Sequence, residues 1–204
     1  MRNNIVHVGA HELQDEIREI VAVGNSLKGM GLDICWENIG DPVLKGEKIP
    51  SWIKGVIKDA VDIDSSFAYS PTKGLDETRA FLAEICNKRK KVQITEEDII
   101  FFNGIGDAIS KVYNYLRKEA RVIGPSPAYS THSSTEAAHA GEDHLMYKLD
   151  PENNWLPDIN DLRNKILNNK SISGILMINP NNPAGTVYSR DVMVEVVGIA
   201  EEFD

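Results

Sequence analysis

The sequence is poor in cysteine and has no long hydrophobic run. Its two cysteines, Cys35 and Cys86, lie far apart and form no C-x-x-C pair among the 204 residues. This pattern argues against a disulfide scaffold and a cysteine-based metal site, and it predicts a reduced, cytoplasmic protein. No stretch approaches the ~18 consecutive apolar residues of a membrane helix, and no apolar segment of about 7–15 residues follows the N-terminus. We therefore expect neither a membrane span nor an export signal.

Basic residues are also scarce relative to acidic ones. The chain has 22 Lys and Arg against 31 Asp and Glu, which gives a net charge of −9. This sign disfavours binding to a phosphate backbone, so we expect no nucleic-acid partner. The one basic run, residues 88–91, comes at the end of a predicted helix, where cations are favoured.

The remaining composition is typical of a packed protein, with 42% hydrophobic and 26% charged residues. The length predicts one larger domain, or one domain with a small addition. In the first half, an apolar stripe from Leu13 to Leu27 predicts a helix. Further helices are predicted from Ser51 and over 75–88, with loops rich in Gly and Pro at 34–50 and 69–74.

The second half alternates between short apolar runs and helical patterns. Strands are predicted at 99–102, 121–124, 145–149 and 175–178. Four helices are predicted in this half. The first has an apolar face marked by Ile109 and Leu116, the second ends at Ala140, the third spans 159–167 and the fourth starts near Ser189. This alternation predicts an α/β fold with a mostly parallel sheet covered on both faces, a three-layer α/β/α arrangement. Ligands of such sheets bind beyond the carboxyl ends of the strands, which points to the loops 103–106, 124–130 and 179–185.

Gly104-Ile105-Gly106 joins a predicted strand to a predicted helix. The first amides of a helix lack acceptors within it, so this turn suits a phosphate, although a plain tight turn fits equally well. A dinucleotide-binding G-x-G-x-x-G/A fingerprint is excluded because Ile109 takes the place of its small last residue. The sequence also lacks a G-x-x-x-x-G-K-[ST] phosphate loop.

The loop Asn179–Gly185 contains three asparagines and two prolines directly after an apolar run. A simple turn needs only one Pro or Gly. An asparagine side chain both donates and accepts, so Asn182 is a candidate to hold an oxygen of a ring-bearing ligand. The alternative is that the asparagines bond to their own backbone.

Five ordered motifs resemble the class I/II pyridoxal-phosphate aminotransferases. Asn179–Gly185 is similar to their N-P-x-N-P-T-G loop, with Ala184 in place of Thr. The other four are Ile39–Pro42, Tyr69–Gly74 followed by Thr78-Arg79, Gly104–Ile109, and Pro125–Tyr129. The resemblance covers essentially the whole chain and implies the fold-type I architecture, with pyridoxal 5′-phosphate as cofactor and amino-acid and 2-oxo-acid substrates.

The resemblance also implies a role for each matching residue. The amides of Ile105 and Gly106, beside Gly104, would hold the cofactor phosphate, and Gly106 lacks the hydroxyl that the family often has there. Tyr129 would stack on the pyridine ring, or be a core tyrosine. Asn182 would bond to the phenolic oxygen of the ring.

Two further residues concern the substrate and the subunit arrangement. The Gly40 amide would approach the substrate carboxylate. Tyr69 would reach the phosphate of a neighbouring subunit, which implies a homodimer with shared active sites.

The resemblance divides the chain into an N-terminal arm with a small-domain segment, 1–50, and the first part of the cofactor-binding large domain, 51–204. The family's ring-nitrogen Asp and covalent-linkage Lys come later, so no catalytic residue is assigned, and we expect an N-terminal portion that does not transaminate alone. Alternatives are another fold-type I enzyme, such as a C–S lyase or decarboxylase, and a non-catalytic module that binds a phosphate ligand.

The histidines give no further site. His132 is expected either near the cofactor ring or at the surface, and His139 and His144 are expected at the surface. His7 and His11 share a spacing of four but lack a third ligand, so we expect no metal there.

Overall fold

The computed structural model of the chain describes residues 6, 8–12, 16–37, 40–89 and 93–203. The described chain forms two compact units: Leu27–Phe102 form one, and the described residues before and after that range form the other. The predicted residues Leu13, Ile39, Lys90 and Lys91 lie outside the described residues.

The first half is helical. Helix α1 spans Glu16–Gly29, α2 spans Ser51–Val61 and α3 spans Asp76–Asn87. Arg79 of α3 is buried, and its guanidinium donates hydrogen bonds to three separate groups. The acceptors are Gly74 O at 3.3 Å, Glu96 O at 2.5 Å and the Asp76 carboxylate. Arg79 thereby ties the turn before α3 to the short 3₁₀ helix Glu96–Asp98.

The second half alternates as predicted. In chain order it contains α4 (Ile105–Tyr115), β1 (Arg121–Ser126), α5 (Ser130–Ala140), β2 (Met146–Asp150), β3 (Leu156–Pro157), α6 (Ile159–Asn168), β4 (Ile172–Ile175) and α7 (Arg190–Phe203). The strands form one sheet in the order β3-β2-β1-β4. β1 pairs in parallel with β2 and with β4, and β3 pairs antiparallel with β2. The predicted α/β class with a mostly parallel sheet is confirmed.

The two faces of β1 pack against different helices. Ile123, 1% exposed, joins a core formed with Leu162 of α6 and Ile199 of α7. Val122 and Gly124 face the other side, towards residues of α4 and α5. Helices therefore cover both faces of the sheet, and the three-layer α/β/α arrangement is confirmed.

Two predicted strands differ from the structure. Residues 99–102 are extended but belong to no sheet, since the Phe101 amide donates to Lys73 O at 3.0 Å. β4 begins and ends three residues before the predicted run at 175–178. The position of β4 is set by its pairing with β1, in which Gly174 and Ile175 lie opposite Val122 and Ile123, and not by the apolar run.

Within the described residues, no helix is long and apolar enough to cross a membrane. The two compact units do not correspond to the domains predicted over 1–50 and 51–204, which come from the resemblance and stay a prediction.

Candidate functional site

The turn Gly104–Gly106 forms the N-terminus of the 11-residue helix α4. Gly104 adopts φ 89° and ψ 171°, a backbone conformation that favours glycine, and a Cβ atom there would point into open space. The amides of Ile105 and Gly106 have no hydrogen-bond acceptor in the part of the chain that the structure describes. We call this segment the phosphate-binding turn, after the role that the resemblance predicts for it.

The electrostatics of the phosphate-binding turn combine a helix N-terminus with one carboxylate. The exposed amides carry the positive end of the α4 dipole. Asp107 lies in the same helical turn, where its Oδ2 accepts from the Asn103 amide at 3.3 Å and its Oδ1 lies 3.6 Å from Lys111 Nζ. Asp107 therefore links the residue before the turn to the first turn of α4, and Lys111 offsets its charge.

Tyr129 directly precedes α5, at the end of the loop that follows β1. It is half-buried, and its ring meets the His132 ring edge-on with centroids 6.0 Å apart. Partial burial lowers the pKa of His132, because the low-dielectric surroundings disfavour the imidazolium. The structure thus brings the His132 ring beside the Tyr129 ring, and burial favours the uncharged form of the His132 imidazole.

The starts of α4 and α5 are neighbours. A Cβ atom on Gly106 would lie 4.0 Å from Cγ2 of Thr131, in ordinary van der Waals contact. Tyr129 stands two residues before Thr131, so the loop after β1 lies close to the phosphate-binding turn.

The three asparagines of Asn179–Gly185, which we call the asparagine loop, differ in their surroundings. Asn181 is 3% exposed, and its side chain accepts from the Ala184 amide at 3.0 Å and donates to Tyr188 Oη at 3.3 Å. Asn179 Oδ1 accepts from the Tyr188 amide at 3.0 Å. Asn182 is exposed, and its side chain has no hydrogen bond to any described residue. Asn179 and Asn181 therefore tie the loop to Tyr188, whereas Asn182 is left exposed.

Strand pairing brings the asparagine loop to the same edge of the sheet as Tyr129. Ile175 of β4 pairs in parallel with Ile123 of β1, and the Leu176 amide donates to Ile123 O at 2.9 Å. The carboxyl ends of parallel strands lie at one edge, so the chains that leave β1 and β4 start side by side.

Two predicted site residues, Gly40 and Tyr69, lie in the compact unit Leu27–Phe102. Both are exposed, and a Cβ atom on Gly40 would meet nothing within 4 Å. Their roles stay predictions.

The histidines differ in part from expectation. His139 is half-buried rather than on the surface: its Nε2 lies 3.0 Å from Arg117 O, and its ring lies 5.5 Å from that of Tyr113. His7 and the side chain of His11 lie outside the described residues. No group of three or more His, Cys, Asp or Glu residues suitable for a metal ion occurs among the described ones.

Tyr188 and Thr131 are residues of this site that the sequence analysis missed. Tyr188 is 2% exposed and bonds to Asn179 and Asn181, which fixes the conformation of the asparagine loop. Tyr188 could have been identified from the sequence, because it follows the polar loop closely. Thr131 could not, because its neighbour in space, Gly106, is distant in sequence.

Comparison with known proteins gives matches over most of the chain. Residues 37–204 match the family model for aminotransferases of class I and II. Over all 204 residues the chain is 60% identical to an uncharacterized aminotransferase of Methanocaldococcus jannaschii, of which it covers 47%. It is 30% identical to the glutamate-pyruvate aminotransferase of Escherichia coli over 81% of this chain and 40% of that protein.

Among solved structures, alanine aminotransferase from Pyrococcus furiosus aligns with a TM-score of 0.83 at 28% identity. The alignment covers 96% of this chain and 49% of that one. The chain thus spans about half the length, or less, of the relatives described here.

Proposed function

Because the chain belongs to the aminotransferases of class I and II, we propose that the whole protein transfers an amino group between an amino acid and a 2-oxo acid, with pyridoxal 5′-phosphate as its cofactor. The observation that carries this proposal is the arrangement of the phosphate-binding turn, Tyr129 and the asparagine loop at one edge of a parallel sheet. The names of two relatives suggest alanine, glutamate and pyruvate as the first substrates to test.

The described residues fit the cofactor. The unpaired amides of Ile105 and Gly106 provide donors for a phosphate at a helix N-terminus, and the missing Cβ of Gly104 leaves that approach open. Tyr129 offers a ring face for stacking. The exposed amide of Asn182 is free to bond to the ring oxygen.

When bound, the cofactor supplies an electron sink for the amino-acid substrate. The role of this chain is to hold and orient it: backbone donors fix the phosphate, and Tyr129 and Asn182 fix the plane and rotation of the ring. The backbone of Gly40 is proposed to bind the substrate carboxylate. Tyr69, which is fully exposed, is proposed to reach the phosphate bound by a second subunit, in a homodimer with shared sites.

We test this function with the whole protein, pyridoxal 5′-phosphate, alanine and 2-oxoglutarate, measuring the pyruvate and glutamate that form. Asn182→Ala is expected to lower the rate by ~10-fold, because it removes a hydrogen bond to a ring whose electronic state matters in the reaction. Asn168→Ala is the matched control, since Asn168 is exposed on α6 and bonds to Asn164 O. Wild-type protein that turns over none of a panel of amino acids, or that releases sulfide or CO₂ instead, would contradict amino-group transfer.

The 204 residues alone are proposed not to transaminate. The resemblance requires a lysine later in the chain than Asn182, and no lysine follows Asn182 here. The chain is mixed with pyridoxal 5′-phosphate, an amino acid and 2-oxoglutarate, and also reduced with borohydride in the presence of the cofactor. Sustained conversion, or an adduct trapped on a single lysine, would overturn this proposal.

A further inference from the structure

Hydrogen bonds join the two sides of the asparagine loop directly beside Asn182. The Asn181 amide donates to Thr186 O at 2.8 Å, and the Gly185 amide donates to Asn181 O at 2.8 Å. The Asn181 side chain closes the same turn, because its Oδ1 accepts from the Ala184 amide at 3.0 Å. All three bonds involve Asn181, so the backbone that carries Asn182 depends on the residue directly before it.

The Asn181 side chain is held in turn by Tyr188. Its Oδ1 accepts from the Ala184 amide, and its Nδ2 donates to Tyr188 Oη at 3.3 Å. Asn181 and Tyr188 are 3% and 2% exposed, so water has little access to this bond. Removing the Tyr188 hydroxyl would therefore leave a buried donor on Asn181 without its acceptor, which costs free energy.

Tyr188 is itself fixed on two sides. Its ring belongs to the buried core that contains Leu162 of α6 and Ile199 of α7, and its amide donates to Asn179 Oδ1 at 3.0 Å. The exposed side chain of Asn182, by contrast, has no hydrogen bond to any described residue. The support for Asn182 thus comes through the backbone, from Asn181 and from the core residue to which Asn181 bonds.

We propose that Tyr188 is a positioning residue for Asn182: through Asn181, its hydroxyl fixes the direction in which Asn182 offers its amide to the ring oxygen of the cofactor. This inference rests on the proposed function and deepens it, because it assigns part of cofactor recognition to a residue of the buried core. Without the hydroxyl, the loop samples other conformations and the fraction competent to bind the ring oxygen falls.

The test compares pyridoxamine 5′-phosphate with its analogue that lacks the ring hydroxyl. Neither compound has an aldehyde, so neither bonds covalently to a lysine. Their dissociation constants are measured by titration calorimetry on the whole protein freed of cofactor, and the ratio reports the bond to the ring oxygen independently of turnover. Asn182→Ala is expected to lower the preference for the hydroxylated compound by ~10-fold, the effect of one hydrogen bond to a charged group.

Tyr188→Phe removes only the hydroxyl and is expected to lower the same preference by ~3-fold or more. Tyr147→Phe is the matched control, because Tyr147 lies in the same buried core and its Oη donates to Leu176 O at 2.9 Å rather than to the asparagine loop. Thermal unfolding is expected to show a similar loss of stability in both variants. The preference is expected to change only in Tyr188→Phe, which separates positioning from a general loss of stability.

Asn181→Leu breaks the same contact from the other side. It is expected to lower the preference at least as much as Tyr188→Phe, because it also removes the acceptor of the Ala184 amide. Adding Tyr188→Phe to Asn181→Leu is expected to lower the preference no further, since the two side chains act through one bond. If Tyr188→Phe does not fold, Asn181→Leu decides the comparison in its place.

The failures of the two proposals are distinguishable. Wild-type protein that binds neither compound would overturn the proposed function, on which this inference rests. Wild-type protein that binds both compounds equally would overturn the bond between Asn182 and the ring oxygen, and the role of Tyr188 with it. A preference that persists in Tyr188→Phe, or that falls equally in Tyr147→Phe, would overturn the role of Tyr188 alone.

Discussion

Arg121 and Glu136 form an ion pair that is almost completely shielded from water, with side chains 7% and 3% exposed. Arg121 Nε and Nη2 donate to the two Glu136 oxygens at 2.5 and 3.0 Å. Glu136 also accepts from the Leu145 amide at 3.1 Å, and Arg121 donates to Asp143 O at 2.7 Å. These bonds fasten α5, which carries Tyr129 and Thr131 at its start, to the first residue of β1 and to the chain entering β2.

Replacing Arg121 with Ala is expected to lower the free energy of unfolding by ~3–5 kcal/mol, because Glu136 is left buried without its partner. Urea denaturation monitored by circular dichroism measures this change. Arg163→Ala is the control: its pair with Glu202 is exposed, so the loss is expected to stay below ~1 kcal/mol.

The double variant Arg121→Met with Glu136→Leu is expected to recover much of the stability, since it removes both charges. A loss in Arg121→Ala no larger than that in Arg163→Ala would show that the pair is not effectively buried.

His132 is expected to make stability depend on pH below its unfolded pKa of 6.5. Burial lowers the pKa of His132 in the folded protein, so the unfolded chain binds the proton more tightly. The stability contributed by the neutral ring is therefore complete above about pH 6.5 and is lost as the pH falls through the lower folded pKa.

Urea denaturation at about pH 7.5 and about pH 5.5 measures this dependence, with a slope of at most about 1.4 kcal/mol per pH unit from one proton. His132→Gln carries no titrating group, so the difference between the two proteins isolates His132 from the carboxylates. Equal slopes in wild type and His132→Gln would refute the assignment.

Helix α4 depends on the backbone of the residue before it. Gly104 takes φ 89°, which no L side chain adopts without strain, and the two following amides owe their direction to that turn. The helix also helps to hold the turn in place, because Asp107 of α4 accepts a hydrogen bond from the Asn103 amide.

Gly104→Ala is expected to destabilise the protein by ~1–3 kcal/mol and to weaken binding of pyridoxal 5′-phosphate. The cause is backbone strain alone, because a Cβ at 104 meets nothing within 4 Å. Gly198→Ala in α7 is the matched control, with open space and no such φ, and is expected to be neutral or to stabilise by up to ~1 kcal/mol. Thermal unfolding and cofactor titration measure both effects; equal behaviour of the two variants would contradict the prediction.

Helices were predictable from this sequence more accurately than strands. The spacing of apolar residues predicted α3 and α6 to within about two residues, because a helix satisfies its own backbone hydrogen bonds. A strand needs a partner, and the sequence does not show one. Residues 99–102 are as apolar as a core strand, but the Phe101 amide bonds to Lys73 O.

At the scale of the whole molecule, the unit Leu27–Phe102 leaves many apolar side chains in solvent. On α2, the side chains of Trp52, Val56 and Ile57 are 69%, 60% and 58% exposed, and the helix contains no buried residue. Neighbouring apolar side chains that remain exposed are typical of surfaces that associate.

The 204-residue chain is therefore expected to self-associate as its concentration rises. Sedimentation velocity over a hundredfold range of concentration measures this. Trp52→Glu is expected to weaken the association by ~10-fold or more, because it removes a large apolar contact. Val194→Glu, at an exposed position on α7, is the control. A monomer at every concentration would contradict the prediction.

The sequence by itself determined the α/β class and the helices, because those follow from periodicity. The loops where a ligand would bind stay a prediction. The sequence also identified the turn before α4, where only glycine suits the conformation, and the asparagine loop. The tertiary structure decided which side chains act together. Thr131 borders Gly106, Tyr188 orders Asn179 and Asn181, and Arg121 pairs with Glu136 only because packing brings together residues that are distant in sequence. Hydrogen bonds between strands and between buried charges depend on a partner elsewhere in the chain, which local pattern does not specify.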